Sequence, residues 1–261
     1  RMPYETLMLE IAGDAAVITL NRPEKRNAIS AAMIDELARA LDEGDRSSTR
    51  AIILTGAGKA FCSGMDLDAL KAIAGQSPAQ NREDSARMAS LFRRIYSCAK
   101  PTIAAVNGPA MAGGTGMATL CDFTLAVPEA KFGYTEVRIG FIPAIVSVFL
   151  IRQVGEKRAR DLLLTGRVFG AEEALKLGLV NEIVAPEQLM PRARELAATL
   201  AANSPTSMTA TTNLLRAFAE AELERELELA IGENAAIRST EDFHEGVSAF
   251  LEKRPPQWKG K

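Results

Sequence analysis

Histidine is almost absent from this chain: His244 is the only one in 261 residues. A hydrolase triad built on a histidine base would have to use it, and no Gly-x-Ser-x-Gly elbow accompanies it. Cysteine is scarce as well. Cys62, Cys98 and Cys121 are odd in number and show no Cys-x-x-Cys or Cys/His spacing. That argues against a zinc site or a disulfide framework and fits a reducing compartment, so a cytoplasmic protein is expected. Neither sign of charge dominates. Lys plus Arg total 31 against 33 for Asp plus Glu, a net charge of -2, which gives no electrostatic reason to expect nucleic acid or an anionic membrane. No apolar run approaches the roughly 18 residues of a membrane span, and the opening RMPYETLMLE does not read as a signal peptide. Arg1 ahead of Met2 reads as a cloning remnant. Neither a Walker-type GxxxxGK[ST] nor a full GxGxxG is present, so a phosphate-cradling loop is not expected.

What is there is an ordinary globular composition, 47% hydrophobic and 25% charged, in a chain long enough to bury a sizeable core as one large domain or two small ones. The first half alternates between element types. Leu7–Ile11 and Ala15–Leu20 read as strands joined at Gly13-Asp14. Ser30 caps a helix whose apolar face is Met33, Leu37, Ala40 and Leu41, with Gly44 as its stop. Ala51–Thr55 and Thr102–Val106 read as buried strands, Ser85–Cys98 as a helix, and Phe123–Val127 and Lys131–Tyr134 as two further strands. The unit repeats as strand, strand, helix. From about Pro143 helices take over, with Val180–Val184 the one late strand expected. No Gly-, Ser- or Pro-rich linker divides the halves. The expected organisation is therefore a core over 1–195 and a helical region over 196–261. Within the latter, the acidic run EAELERELELAIGE reads as a solvated amphipathic helix with Leu223 and Leu227 one turn apart.

Two stretches of bare backbone stand out, FCSGMDL (61–67) and NGPAMAGGTGMATLCD (107–122), each after a strand-like run. Glycine there permits a tight turn, and a helix start leaves N–H groups unpaired. The pair reads either as two close-packed turns or as two N–H donors aimed at one oxygen. Glu136 similarly reads as a carboxylate complementing a helix start or as a proton-transfer group.

NRPEKRNAIS, AFCSGMDL, PTIAAVNGPAMAGGTG, CDFTLA, AKFGYTEVRIGFIP and GVSAFLEKRPP occur in the order and spacing of the crotonase (enoyl-CoA hydratase/isomerase) superfamily, which the chain resembles from about Leu7 to Trp258. The resemblance implies an α/β fold, a crotonase-like spiral of ββα units followed by a helical C-terminal trimerisation region, assembled as trimers or hexamers. It implies an acyl-CoA thioester substrate, with no cofactor beyond the coenzyme A of the substrate itself. Backbone N–H groups of Met65 and Gly113 match the donors that hold the thioester carbonyl. Of the two glutamates that family hydratases use, one matches Glu136. The other falls at Gly116, where a side chain is expected to point into the pocket but only hydrogen is present, leaving room for a second carboxylate. Cys62, Gly64 and Asp66 belong to the first donor stretch, with Asp66 matching a helix cap more than a second acid. Lys25, Arg26 and Ala28 match the CoA-binding segment. Tyr134, Phe141 and Ile142 are expected to shape the acyl pocket or simply pack in the core. Phe250 and Lys253 match a pair that often reaches the CoA of a neighbouring subunit, and His244 is expected at the surface. With one glutamate, double-bond isomerisation is the first expectation. Hydration or dehydration by Glu136 alone is the alternative, then other acyl-CoA chemistry such as decarboxylation or hydrolysis. A non-catalytic acyl-CoA- or RNA-binding relative is the reading from another class.

Overall fold

The computed structural model describes residues 3–261, so Arg1 and Met2 lie outside it. Its nine strands form two sheets among the described residues. β1 (Leu7–Ala12), β2 (Ala15–Leu20), β3 (Ala51–Gly56) and β4 (Thr102–Val106) belong to the large sheet, and β5 (Ala110–Met111) to the small one. β6 (Phe123–Ala126) returns to the large sheet, β7 (Lys131–Gly133) and β8 (Val168–Gly170) join β5, and β9 (Glu182–Ile183) closes the large sheet at its far edge. The large sheet runs β1-β2-β3-β4-β6-β9. Only β1 is antiparallel to its neighbour, through the expected hairpin. The other pairs are parallel. The strands β3 and β4 are almost wholly buried, as parallel strands covered on both faces must be.

The helices are α1 (Ala31–Arg46), α2 (Leu67–Ile73), α3 (Pro78–Tyr96), α4 (Gly113–Leu120), α5 (Ala144–Val154) and α6 (Glu156–Thr165), followed by α7 (Ala171–Leu177), α8 (Leu189–Ala201), α9 (Pro205–Ala217), α10 (Glu220–Ile237) and α11 (Glu241–Glu252). The expected strand, strand, helix unit is a spiral of four turns. β2 leads to Ile29 and then α1. β3 leads to the Cys62–Met65 segment and then α2 and α3. β4 leads to β5 and α4, and β6 leads to β7 and, past Glu136, α5. Isolated parallel bridges Ile29–Met65 and Cys62–Ala110 tie the middle members of the first three turns into one second layer. Four consecutive turns therefore bring their chain to the same place, between second-layer strand and helix.

Two expected elements shift. α1 runs past Gly44 to Arg46, and Gly44 is there because a Cβ would stand 3.0 Å from Ile52 Cδ1. α3 begins at Pro78, well before Ser85, behind a capping box between Ser77 and Gln80. The 195/196 division falls inside α8, whose Ala193 and Ala197 are fully buried in the same core as the sheet. The acidic helix α10 is less solvated than its composition implied. Leu223 and Leu227 enter the main core, and its carboxylates pair with arginines of the packed helices: Glu220 with Arg93, Glu228 with Arg82, and Glu226 with Arg152. α11 lies over the Glu136 turn and α2, where Phe243 and Val247 join Leu70 and Ile73 in a small separate core. No helix among the described residues is long and apolar enough to cross a membrane.

Candidate active site

The four equivalent stops of the spiral line one cavity of about 160 Å³: Ile29 from the first turn, Met65 from the second, Gly113 from the third and Glu136 from the fourth. The second stop is shaped by backbone pairing. Ile29 N–H donates to Gly64 C=O at 2.7 Å and Asp66 N–H to Ile29 C=O at 2.9 Å. In a parallel bridge of that register the N–H of Met65 between them points the other way. Gly64 itself has φ +87°, and an added Cβ would sit 3.1 Å from Met111 O, so a side chain at this crossing would be strained and tightly packed. Gly113 opens α4, where the first N–H groups have no intrahelical acceptor. Within the described residues neither Met65 N–H nor Gly113 N–H donates to any acceptor.

Ala112, which precedes Gly113, was not singled out by sequence. It has φ 51° and ψ -121°, a backbone region costly for a residue with a side chain, and it lines the cavity. Ala112 N–H donates to Gly133 C=O at 2.7 Å, and Thr115 Oγ1 donates to the carbonyls of Ala110 and Gly133 at 2.7 and 3.1 Å. These bonds fix the start of α4 against β7, the strand that delivers Glu136. Asn27 was also missed. Fully buried, it spans the 22–28 loop and the chain after β3, accepting from Arg22 N–H at 2.8 Å and donating to Ala57 and Ala60 carbonyls.

Glu136 is only 9% exposed and lines the cavity. Its Oε2 is buried with no hydrogen-bond partner. Burial pushes the carboxyl up to about 7, with its own backbone N–H opposing weakly. Asp66 differs. It caps α2 by accepting from Asp68 N–H at 2.8 Å and pairs with Arg22 at 2.8 Å. Burial raises its carboxyl, but the Asp68 N–H and the Arg22 guanidinium outweigh that and hold it below the usual carboxylate range. Asp66 is therefore a cap, as its position implied.

Gly116 corrects an expectation. The space foreseen for a second carboxylate is filled: a Cβ there would stand 2.6 Å from Val146 Cγ1 and 3.3 Å from Phe92 Cζ. Val146 and Phe92 line the cavity in its place. Tyr134 is a second correction. It is 1% exposed and packs in the main core, and it is not among the cavity residues, whereas Phe141 and Ile142 are. Cys62 is fully buried, and burial pushes its thiol up to about 12. Lys25 and Arg26 are exposed on the loop beside Asp66, with Lys25 Nζ 3.6 Å from Asp68. The carbonyl of buried Ala28 accepts from Arg22 at 2.7 Å. Phe250 lines the cavity of its own chain while 51% exposed. Lys253 caps the exposed end of α11 and His244 is at the surface, as expected of it.

With this geometry in place, the comparisons fall on it directly. Residues 10–261 match the family described as Enoyl-CoA hydratase/isomerase. The chain belongs to that family. It is 48% identical, over 94% of its length and 98% of the relative's, to a Thermus thermophilus protein provisionally named enoyl-CoA hydratase. It is 34% identical to the short-chain-enoyl-CoA hydratase of Clostridium acetobutylicum, covering 97% of both chains. The structure of enoyl-CoA hydratase from Bacillus halodurans superposes with a TM-score of 0.88 at 32% identity, over 94% of this chain and all of that one. The fold is thus the crotonase fold with added C-terminal helices, and the protein is an enzyme of the crotonase type.

Proposed function

We propose that this crotonase-type enzyme binds an acyl-CoA thioester with its carbonyl oxygen on the N–H groups of Met65 and Gly113. Glu136 then moves a proton between two carbons of the acyl chain. Negative charge gathers on the thioester oxygen as the α-proton leaves, and two fixed N–H donors stabilise it where it develops. One observation carries the choice of reaction. Glu136 keeps a buried carboxylate oxygen without a partner, and Val146 and Phe92 occupy the place of a second acid. A single carboxylate can take a proton at one carbon and return it at another, so double-bond isomerisation of an enoyl-CoA suits this site.

Hydration is the second reading, favoured by the names of the relatives. It requires Glu136 to serve both the water and the α-proton. Spectrophotometric assays with a 3-enoyl-CoA and with crotonyl-CoA separate the two. Faster conversion of the 3-enoyl thioester to its 2-enoyl isomer supports isomerisation, and faster loss of crotonyl absorbance overturns it in favour of hydration. Binding of both thioesters without turnover makes the chain an acyl-CoA-binding protein.

The proposal extends to assembly. α9 buries no side chain, and Leu214, Leu215 and Phe218 are 57%, 60% and 74% exposed, an apolar surface that fits a homotrimer or hexamer. Sedimentation at micromolar concentration tests this; an active monomer contradicts it. Lys25 and Arg26 are proposed to meet the CoA phosphates, and the reaction needs no other cofactor.

A further inference from the structure

The cavity has a second polar wall, remote in sequence from Glu136. Asp84 on α3, Asn234 on α10 and Arg238 at the C-cap of α10 line it. Arg238 is 2% exposed. Its Nη1 donates to Asp84 Oδ2 at 2.8 Å, and its Nη2 donates to Asn234 Oδ1 at 2.9 Å and to Ser85 Oγ at 3.3 Å. The guanidinium lies over the Phe141 ring at 5.5 Å, and Phe141 N–H donates to Glu136 C=O at 3.0 Å. The same turn therefore carries the proposed base and one side of the arginine's seat. Nε of Arg238 is buried, with no hydrogen-bond partner and almost no accessible surface, so an acceptor reaches it as the side chains around it shift. A buried N–H without an acceptor is unfavourable, and a ligand that supplies one recovers that loss.

Two further features narrow what fits. The volume of about 160 Å³ is small beside the roughly 300–1,000 Å³ of pockets for larger ligands. The charge of Arg238 is already matched by Asp84, so a carboxylate arriving here would add a second negative charge beside Asp84 and near Glu136. A hydroxyl would accept from Nε and could donate to a neighbouring oxygen without that repulsion.

We propose that the Asp84–Asn234–Arg238 cluster binds the distal end of the acyl group, and that the preferred acyl chain is short and carries a hydroxyl there. This rests on the acyl-CoA reading above and names the substrate class for it. The probes are butanoyl-, pentanoyl- and hexanoyl-CoA, each with its ω-hydroxy and ω-carboxy counterpart. These thioesters lack the double bond, so their dissociation constants, measured by calorimetry, do not depend on turnover. At one chain length in the series the ω-hydroxy form binds about tenfold more tightly than the plain alkyl form, the worth of one recovered buried hydrogen bond. That ratio falls to about one in Arg238→Lys, which keeps a cation for Asp84 but has no Nε–H. Because the readout is a ratio of two ligands on one protein, general loosening of the fold does not produce it. The wild-type ratio decides by itself if the variant does not fold. Equal or weaker binding of every ω-hydroxy form, tighter binding of an ω-carboxy form, or a ratio unchanged in Arg238→Lys overturns the proposal. If no thioester of any kind binds, the acyl-CoA reading falls first and takes this one with it.

Discussion

Asp66 and Glu136 occupy comparable stops in the spiral, each just past a second-layer strand and close to a helical turn, and both are buried. Their surroundings make them opposite kinds of carboxylate. Asp66 has a backbone N–H and an arginine, and its proton affinity is lowered. Glu136 has an apolar cavity and an oxygen with no partner, and its proton affinity is raised to about 7. A carboxylate held by a backbone N–H and an arginine keeps its charge and holds structure together. One that is buried with an oxygen left unpaired exchanges its proton near neutrality, which is what general acid–base work requires.

The largest expected effect breaks this comparison at Glu136. Glu136→Gln keeps the shape and removes the base, so turnover falls by about 10²–10⁴. The dissociation constant of a saturated acyl-CoA stays close to that of the native protein. Next is Gly113→Pro, which removes a proposed donor at a helix position that accepts proline. Turnover is expected to fall by about 10²–10³. Circular dichroism must accompany the rate, because proline also restricts Ala112.

The raised carboxyl has a cost in stability with a definite sign. The unfolded chain loses the Glu136 proton near the ordinary value of 4.5 and the folded chain near 7. Native stability therefore declines as pH rises from 4.5 to 7, by up to about 3 kcal/mol from this group. Glu136→Gln lacks that decline, so chemical denaturation at pH 5 and pH 8 should find the variant more stable than the native protein only at the higher pH. The smallest effect concerns Gly116. Helix propensity alone predicts that Gly116→Ala stabilises by about 1 kcal/mol. The approach of 2.6 Å to Val146 Cγ1 predicts instead a net loss of about 1–2 kcal/mol. That loss is partly relieved when Val146→Ala is added. A stabilised Gly116→Ala protein would mean that the wall is soft and that a second carboxylate could be accommodated.

Much of the architecture could be read from sequence because its signals are local. The strands β2, β3, β4 and β6 of the large sheet are buried apolar runs, and the donor stretches advertise themselves by glycine after a strand. What could not be read depends on distance in the chain. Gly116 looked like empty space because Val146 and Phe92 are brought to it by other helices. Arg238 and Asp84 are separated by 154 positions, so no spacing pattern joins them. β8 has three residues and β5 two, too few to show a period. Ala112 is an ordinary alanine until its backbone angles are known. The start of α3 was legible in Ser77-Pro78-Ala79-Gln80, a capping-box pattern whose meaning the apolar periodicity further along obscured.

The contrast between the two carboxylates comes down to which of them takes the α-proton. Butanoyl-CoA in deuterated water isolates that step, since exchange at its α-carbon requires the oxyanion donors and a base but no double bond. Mass spectrometry then follows deuterium uptake for the native protein, Glu136→Gln and Asp66→Asn. The account predicts uptake by the native protein and by Asp66→Asn, and none above background by Glu136→Gln. Uptake at the native rate by Glu136→Gln, with loss in Asp66→Asn, would contradict it and transfer the role of base to Asp66.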